Sequence, residues 1–132
     1  MSYDVTKDIR GYLISSSDVT SLVDTGNIRV GWSQQADEFP CIIIQQTGGT
    51  DVGYIGYNQT AAGSKVRLET VTLQLDIFSQ TSRANVLDIA DAVVPVMISG
   101  GCRKESDMDM YNDDIEVHRK VQTYTLNRFH DD

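Results

Sequence analysis

The chain contains few of the residues that build metal centres and covalent cross-links. Its 132 residues include two cysteines, Cys41 and Cys102, and two histidines, His118 and His130. The cysteines do not form a CxxC pair and the histidines lie far from both in sequence, which argues against a zinc site. We recognise no secretory signal in Met1–Asp8 and therefore expect no disulfide. No motif places a serine or cysteine beside either histidine, so a catalytic nucleophile–base pair is not indicated.

Long apolar runs and an excess of basic residues are also missing. No run approaches the roughly 20 apolar residues of a transmembrane helix, and we expect no membrane contact. The 11 Lys and Arg residues face 19 Asp and Glu residues, which gives a net charge of −8. A protein that reads nucleic-acid sequence needs a basic surface, so the net charge argues against that class. The acidic charge fits a conduit that DNA passes without sticking, and it equally fits simple solubility.

The remaining composition is typical of a small globular protein. Hydrophobic residues make up 40% of the chain and charged residues 23%. We therefore predict a single domain over residues 1–132, with a long flexible loop at about 47–64. Cys41 begins an apolar run and should be buried, whereas Cys102 follows Gly100-Gly101 and should be exposed.

A strand followed directly by a helix is the clearest local signal. Val71, Leu73, Leu75 and Ile77 alternate with polar residues, which predicts a strand with one buried face. This strand should run over 65–78, with a bulge near Thr70 because earlier apolar positions are out of phase. The next helix should begin after Ser82, which can act as its N-cap, and Gly100-Gly101 should stop it. Pro95 should kink or terminate that helix.

The other elements are predicted from shorter patterns. A first helix should begin after Asp4, with apolar residues at helical spacing on one side. Shorter strands are predicted at 28–32, 40–46 and 103–110, a turn at 111–114, and a last strand at 115–129. The apolar side is expected to comprise Val5, Ile9, Tyr12 and Leu13 in the first helix and Ile115, Val117 and Val121 in the last strand.

These elements predict an α+β fold: an antiparallel sheet of four to five strands with two helices packed on one face. Consecutive strands joined by turns favour antiparallel pairing, and both helices can cover one face of such a sheet. No internal repeat, low-complexity segment or interdomain linker is recognisable.

The glycine-rich stretch Thr47–Ser64 is the first candidate for function. Its spacing matches neither a P-loop nor a dinucleotide-binding motif, so we expect no bound cofactor. Long irregular segments in small domains are often functional, and a protruding hairpin tip is the preferred interpretation. The residues expected to contact a partner here are Gly49, Tyr54, Ile55, Tyr57, Asn58 and Lys65.

An acidic stretch near the end of the chain is the second candidate. Asp107, Asp109, Asp113 and Asp114 superficially suggest a calcium loop, but Asn112 stands where that loop needs glycine. A solvated turn without a metal is the better interpretation.

Several segments, taken together and in order, resemble the tail-terminator or tail-completion (head-to-tail joining) family of long-tailed viruses. These segments are Val19-Thr20-Ser21-Leu22-Val23, Ile28-Arg29-Val30, Phe39-Pro40-Cys41-Ile42-Ile43-Ile44, Leu75-Asp76-Ile77-Phe78-Ser79, Ala84-Asn85-Val86-Leu87-Asp88-Ile89-Ala90-Asp91-Ala92-Val93 and His118-Arg119. The resemblance implies a structural virion protein and no enzymatic activity.

The resemblance further implies a homo-oligomeric ring, hexameric in form, at the head-proximal end of the tail. Such a ring caps the tube built by the major tail tube protein, ends its polymerisation and joins the head completion or connector protein. DNA passes through its lumen without sequence-specific binding, and assembly takes place in the host cytoplasm. The acidic residues Asp107, Asp109, Asp113 and Asp114 would then line the lumen. Another neck or tail-tube protein, or a non-viral oligomeric interaction module, is the alternative.

Overall fold

The computed structural model describes residues 5–31, 39–55, 66–113 and 116–131. Three α-helices, a short 3₁₀ turn and five strands make up this part of the chain. In chain order they are α1 (Val5–Ile14), α2 (Ser17–Thr20), the 3₁₀ turn Thr25–Asn27, β1 (Ile28–Val30), β2 (Cys41–Ile55), β3 (Val66–Ser79), α3 (Arg83–Ser99), β4 (Cys102–Asn112) and β5 (Val117–Asp131).

The five strands form one sheet in the order β1-β2-β3-β5-β4. The pairs β2–β3, β3–β5 and β5–β4 are antiparallel, whereas β1 runs parallel to β2 and pairs Ile28 with Ile42. The α+β class and the strand number are therefore confirmed, but the sheet is mixed rather than purely antiparallel. A three-residue strand carries no sequence signal for its direction, which explains this error.

The hydrophobic core lies between one face of the sheet and the helices. Alternate residues of β3, from Val71 to Ile77, have essentially no exposure, as their period-two pattern predicts. Val5, Ile9 and Leu13 of α1 join the same cluster, but Tyr12, predicted to be among them, is 46% exposed. No helix in the described segments is long and apolar enough to cross a membrane.

The N-terminal end of α3 is fixed by a side-chain cap, as predicted. The hydroxyl of Ser82 accepts a hydrogen bond from the backbone N–H of Asn85 at 3.1 Å. Pro95 does not end the helix, which continues to Ser99 before Gly100. Because Pro95 lies on the exposed side, the carbonyl it leaves without an N–H donor can be hydrated, and the helix tolerates the loss.

Strands β2 and β3 form a long hairpin. The predicted loop beginning at Thr47 is therefore shorter than expected, since Thr47–Ile55 belong to β2; the rest of that stretch lies outside the described residues. The predicted bulge near Thr70 is misplaced. The irregularities lie in β2, between Gln46 and Gly48 and between Asp51 and Gly53, so the extra residues are on the partner strand.

In β5 the core side is the opposite of the predicted one. Lys120, Gln122 and Tyr124 lie on the helix-covered side, and Gln122 and Tyr124 are fully buried. The hydroxyl of Tyr124 donates to Oε1 of Gln122 at 2.7 Å, which lets two polar groups enter the core together. Val117 is also buried, while Val121 is half-buried on the other face.

Both cysteines are buried. Cys41 is confirmed as a buried residue, but Cys102, expected to be exposed, is only 5% exposed. It begins β4 and packs into the core cluster, since α3 ends directly before it and brings the chain back to the sheet. Burial raises the pKa of the Cys102 thiol to about 11.

Candidate assembly surfaces

Strand β4 is the most exposed element of the described structure. It forms one edge of the sheet, and every residue after Cys102 is exposed. Among the described residues, the exposed large hydrophobic side chains are Tyr12, Ile98, Met108, Met110 and Tyr111. Three of these belong to β4. A long edge strand with apolar side chains and unpaired backbone groups is a site at which another chain can bind.

The two faces of β4 differ in chemistry. Register with β5 places Asp107 and Asp109 beside Gln122 and Lys120, on the side of the sheet that carries the helices. Met108 and Met110 pair with Val121 and Arg119 and lie on the opposite side. Asp107 and Asp109 are therefore on a different face from Met108 and Met110, whereas Tyr111, which pairs with His118, lies on the side of the aspartates.

Ion pairs hold the acidic face of β4 in place. Oδ1 of Asp109 lies 3.2 Å from Nζ of Lys120, and its Oδ2 lies 3.2 Å from the guanidinium of Arg83 at the start of α3. The hydrogen bond from Lys120, supported by Arg83, holds the pKa of Asp109 below its usual range. Asp107 forms an ion pair with Lys104.

The opposite sheet edge, at β1, is protected. The strand has three residues, and Nε of Arg10 in α1 donates to the carbonyl of Ile28 at 2.7 Å. A second nitrogen of the same guanidinium donates to the carbonyl of Thr25 at 3.1 Å. Short length and a side-chain cap are two ways in which proteins protect an edge against pairing. The two edges of the sheet are thus chemically unlike.

A buried polar cluster lies on the face of the sheet away from the helices. The carboxylate of Asp76, 3% exposed, accepts hydrogen bonds from Gln74 at 3.0 Å and Gln45 at 3.3 Å and lies 3.2 Å from the guanidinium of Arg119. Arg119 also stacks over the ring of Phe78, 5.4 Å from its centroid. This cluster fixes Arg119 beside the start of a shallow groove of 410 Å³ that also contains Met110 and Tyr111.

A second groove, of 470 Å³, separates the C-terminal ends of α1 and α3. Tyr12 lines it on one side and Pro95 and Val96 on the other. The ring of Tyr12 approaches Gly100 so closely that a Cβ there would meet it at 3.0 Å, so a larger residue at the end of α3 would displace the ring.

The residues predicted to contact a partner are only partly described. Gly49, Tyr54 and Ile55 lie in the far half of β2, where Ile55 pairs with Val66 at the end of the hairpin. Tyr57, Asn58 and Lys65 lie outside the described residues. The register therefore places the first three on a hairpin strand, and their role in partner contact stays a prediction.

The acidic residues predicted to line a lumen lie on or beside β4. Asp107 and Asp109 are exposed residues of that strand, Asp113 is exposed in the turn after it, and Asp114 lies outside the described residues. The predicted turn over 111–114 begins later, because Tyr111 and Asn112 belong to β4. In the described part of the chain, no group of three or more His, Cys, Asp or Glu residues could hold a metal ion.

Sequence reasoning missed the exposed apolar side of β4 and the cap on β1. Met108 and Met110 alternate with aspartates, and this alternation was a readable signal for a strand with unlike faces. Nothing in the sequence connects Arg10 to Ile28, since that contact depends on how α1 packs against the sheet.

The fold and these surfaces define a class of protein: a small α+β subunit whose sheet has one open and one protected edge. Its sequence identifies the family. The family profile described as "Tail completion protein gp17" matches residues 7–122, and the chain belongs to this family. It is therefore a structural protein of a virion tail.

Comparison with solved structures agrees with this fold. The chain is similar to a chain of the "Virion of native gene transfer agent (GTA) particle", with a TM-score of 0.66 and 6% sequence identity over 96% of this chain and 95% of that one. Among curated proteins, no match is found.

Proposed function

We propose that the chain forms a closed ring, hexameric in form, that caps the tail tube, ends its polymerisation and joins the tail to the head connector. DNA passes through the lumen without sequence-specific binding. The ring occupies the head-proximal end of the tail, is assembled in the host cytoplasm, and acts as a structural component rather than an enzyme.

Membership of the tail-completion family is the observation that carries this proposal. The unlike edges of the sheet support it. A contact between two identical surfaces produces a dimer, whereas a contact between two different surfaces of one subunit repeats, and it forms a ring where the rotation closes. The open β4 edge and the protected β1 edge lie at opposite ends of the strand order, which is where head-to-tail contacts need them.

The β2–β3 hairpin is the candidate for contact with the tail tube. Beyond Ile44, β2 has no neighbour on its outer side in the described sheet, because β1 pairs only with residues 42–44. At the other side, β5 continues past Leu126, where β4 begins. This three-stranded extension offers backbone groups and the residues Gly49, Tyr54 and Ile55 to a partner.

The acidic residues on and beside β4 are candidates to line the lumen, but ion pairs within the subunit reduce the negative charge that they offer. Asp109 is paired with two cations and Asp107 with one, so Asp113 contributes the acidic group of this set for which no ion pair is described. Repulsion of DNA by such a wall would be weaker than the count of aspartates suggests.

Native mass measured over a concentration series, with and without tubes of the major tail tube protein, tests the proposal. We expect a species of six subunits, and capped tubes that no longer elongate. A species that stops at two subunits would contradict a head-to-tail ring. A monomer that tubes do not recruit would leave another neck protein or a non-viral interaction module as the function.

A further inference from the structure

The acidic face of β4 is exposed along the open edge of the sheet. Asp107 and Asp109 project from an edge strand whose residues after Cys102 are all exposed, and Asp113 follows in the turn. Lys104 of the same strand, Lys120 of β5 and Arg83 of α3 bind two of these carboxylates, whereas no ion pair of Asp113 is described.

Pairing of β4 with a second β4 is unfavourable when the pair is centred between residues 107 and 111. A two-fold axis through an antiparallel strand pair keeps both helix layers on the same side, so residues of one face oppose residues of that same face. A pair centred on 107 or 109 would place that aspartate opposite itself. A pair centred on 108 would place Asp107 opposite Asp109. A pair centred on 110 would place Asp107 opposite Asp113, and one centred on 111 would place Asp109 opposite Asp113. Like charges directly opposite each other destabilise a strand pair.

The other end of the sheet carries the complementary charge. Arg10 is held against β1 by its bonds to Ile28 and Thr25, which shows that its side of α1 faces that edge. Lys7 is exposed and lies one helical turn earlier, about 60° from Arg10 around the helix axis. Tyr12 is on the opposite flank, in the groove beside α3.

Arg29 adds a third cation at this end. It belongs to β1 itself, and its guanidinium donates to the carbonyl of Gly26 and to Oδ1 of Asn27, at 3.4 Å each. Asp24, exposed before the 3₁₀ turn, offsets this charge only in part. Among the described residues of the edge formed by α1 and β1, basic side chains therefore outnumber acidic ones, within a chain whose net charge is −8.

We infer that the acidic face of β4 docks against the basic α1–β1 edge of a second copy of this chain. The inference rests on the proposed ring and names the two surfaces that form its subunit contact. Each copy offers one acidic and one basic surface, so every copy can be donor and acceptor at once. Tyr111, which pairs with His118 on the side of the aspartates, supplies apolar area that charge alone does not provide.

A charge-swap experiment tests this contact. One variant carries Asp107→Lys and Asp113→Lys, and the other carries Lys7→Glu and Arg29→Glu. Each variant alone places like charges across the contact, and we expect its self-association to weaken by about tenfold or more. Mixed in equal amounts, the two should regain the wild-type native mass, because each contact again joins opposite charges.

A matched control carries Asp88→Lys and Asp91→Lys, at two exposed positions on α3. Its net charge changes by the same amount as in the variant with Asp107→Lys and Asp113→Lys. It should assemble as the wild type does. Thermal melts of every variant check folding, and Lys7→Glu alone replaces the second variant if Arg29→Glu impairs it.

The possible failures can be told apart. Variants that assemble like the wild type when tested alone, or a mixture that stays dissociated, would overturn this contact. The proposed function would still stand in that case if the wild-type chain forms a ring. A wild-type chain that neither self-associates nor caps tubes would overturn both.

Discussion

Gln122 and Tyr124 show how individual residues let a polar strand enter the core. Both are fully buried, and the Tyr124 hydroxyl donates to Gln122 Oε1 at 2.7 Å. Nε2 of Gln122 has no hydrogen-bond partner among the described residues. Burial, with smaller contributions from Asp107 and Cys102, raises the pKa of Tyr124 far above its ordinary value, so it stays a donor at neutral pH.

Tyr124→Phe should destabilise the subunit by about 1–3 kcal/mol, because it leaves a buried carbonyl oxygen without a donor. Adding Gln122→Met removes both polar partners while keeping a side chain of similar length, so the double variant should recover much of that loss. Urea denaturation of both variants measures the difference. If Gln122→Met lowered the stability of the Tyr124→Phe variant as much as it lowers that of the wild type, this result would contradict the pairing.

Cys102 should be almost unreactive in the folded subunit. Its pKa of about 11, compared with 9.0 for an ordinary thiol, lowers the thiolate fraction at pH 8 by about 100-fold, and burial limits access further. Labelling with iodoacetamide, read by peptide mass, should be at least that much slower in the folded protein than in urea. Cys41, which has no exposed surface, is the internal control for the effect of burial on access.

The same raised pKa predicts a loss of stability at alkaline pH. Between about pH 9 and 11 the unfolded thiol has lost its proton and the folded thiol has kept it, so stability falls as pH rises through this range. Cys102→Ala should show a smaller decline there than the wild type. An identical decline in both proteins would show that the thiol does not titrate in this way.

At the scale of elements, the β2–β3 hairpin allows contact with a partner to be tested without disrupting the fold. Ile55 pairs directly with Val66, so replacing residues 56–65 by Asn-Gly leaves two residues between paired positions, the length that a type I′ turn closes. We expect a folded subunit, with a melting temperature near that of the wild type, that no longer binds tail tubes. Binding assays with assembled tubes measure this.

A shortened hairpin that still caps tubes would show that residues 56–65 make no essential contact. Tyr54→Ala in the full-length chain is then the next variant, because it tests the strand portion of the same surface. A deletion that begins at Gly49 is less informative, since it also removes the β2 residues that pair with β3 from Val66 to Val71.

The elements also show which parts of the fold can be predicted from sequence. Strand β3 and helix α3 were predictable because each has one buried face, a regular period and, for α3, the Ser82 cap. The core side of β5 was not predictable, because Gln122 is buried together with Tyr124, to which it is hydrogen-bonded, and the sequence does not show that bond. The direction of β1 was not, because three residues give no period to read.

The candidate surfaces were predictable only in part for a similar reason. The acidic positions 107, 109 and 113 were visible as charges, but the ion pairs of Asp107 and Asp109 with Lys104, Lys120 and Arg83 were not. Lys120 and Arg83 belong to β5 and α3 and meet β4 only in the folded sheet, whereas Lys104 is a residue of β4 itself. An exposed edge is a property of strand order, which the local pattern of β4 does not contain.

At the scale of the whole molecule, strand order sets both stability and assembly. Strand β3 lies at the centre of the sheet, with neighbours on both sides and the helices over one face, whereas β4 has a neighbour on one side. Local opening requires least free energy where few contacts are lost, so β4 should open first and β3 last. The least stable strand is then also the one that the proposed ring covers.

Hydrogen exchange can measure this difference along the whole chain. In the dissociated subunit, amides of β3 from Val71 to Ser79 should exchange slowest and those of β4 from Ser106 to Asn112 among the fastest. Assembly should slow exchange in β4 and around β1, because the inferred contact buries both, and leave the middle of α3 unchanged as an internal control. If exchange instead slowed in α3 and stayed fast in β4, the subunit contact would lie on the helical face, in the groove between Tyr12 and Pro95.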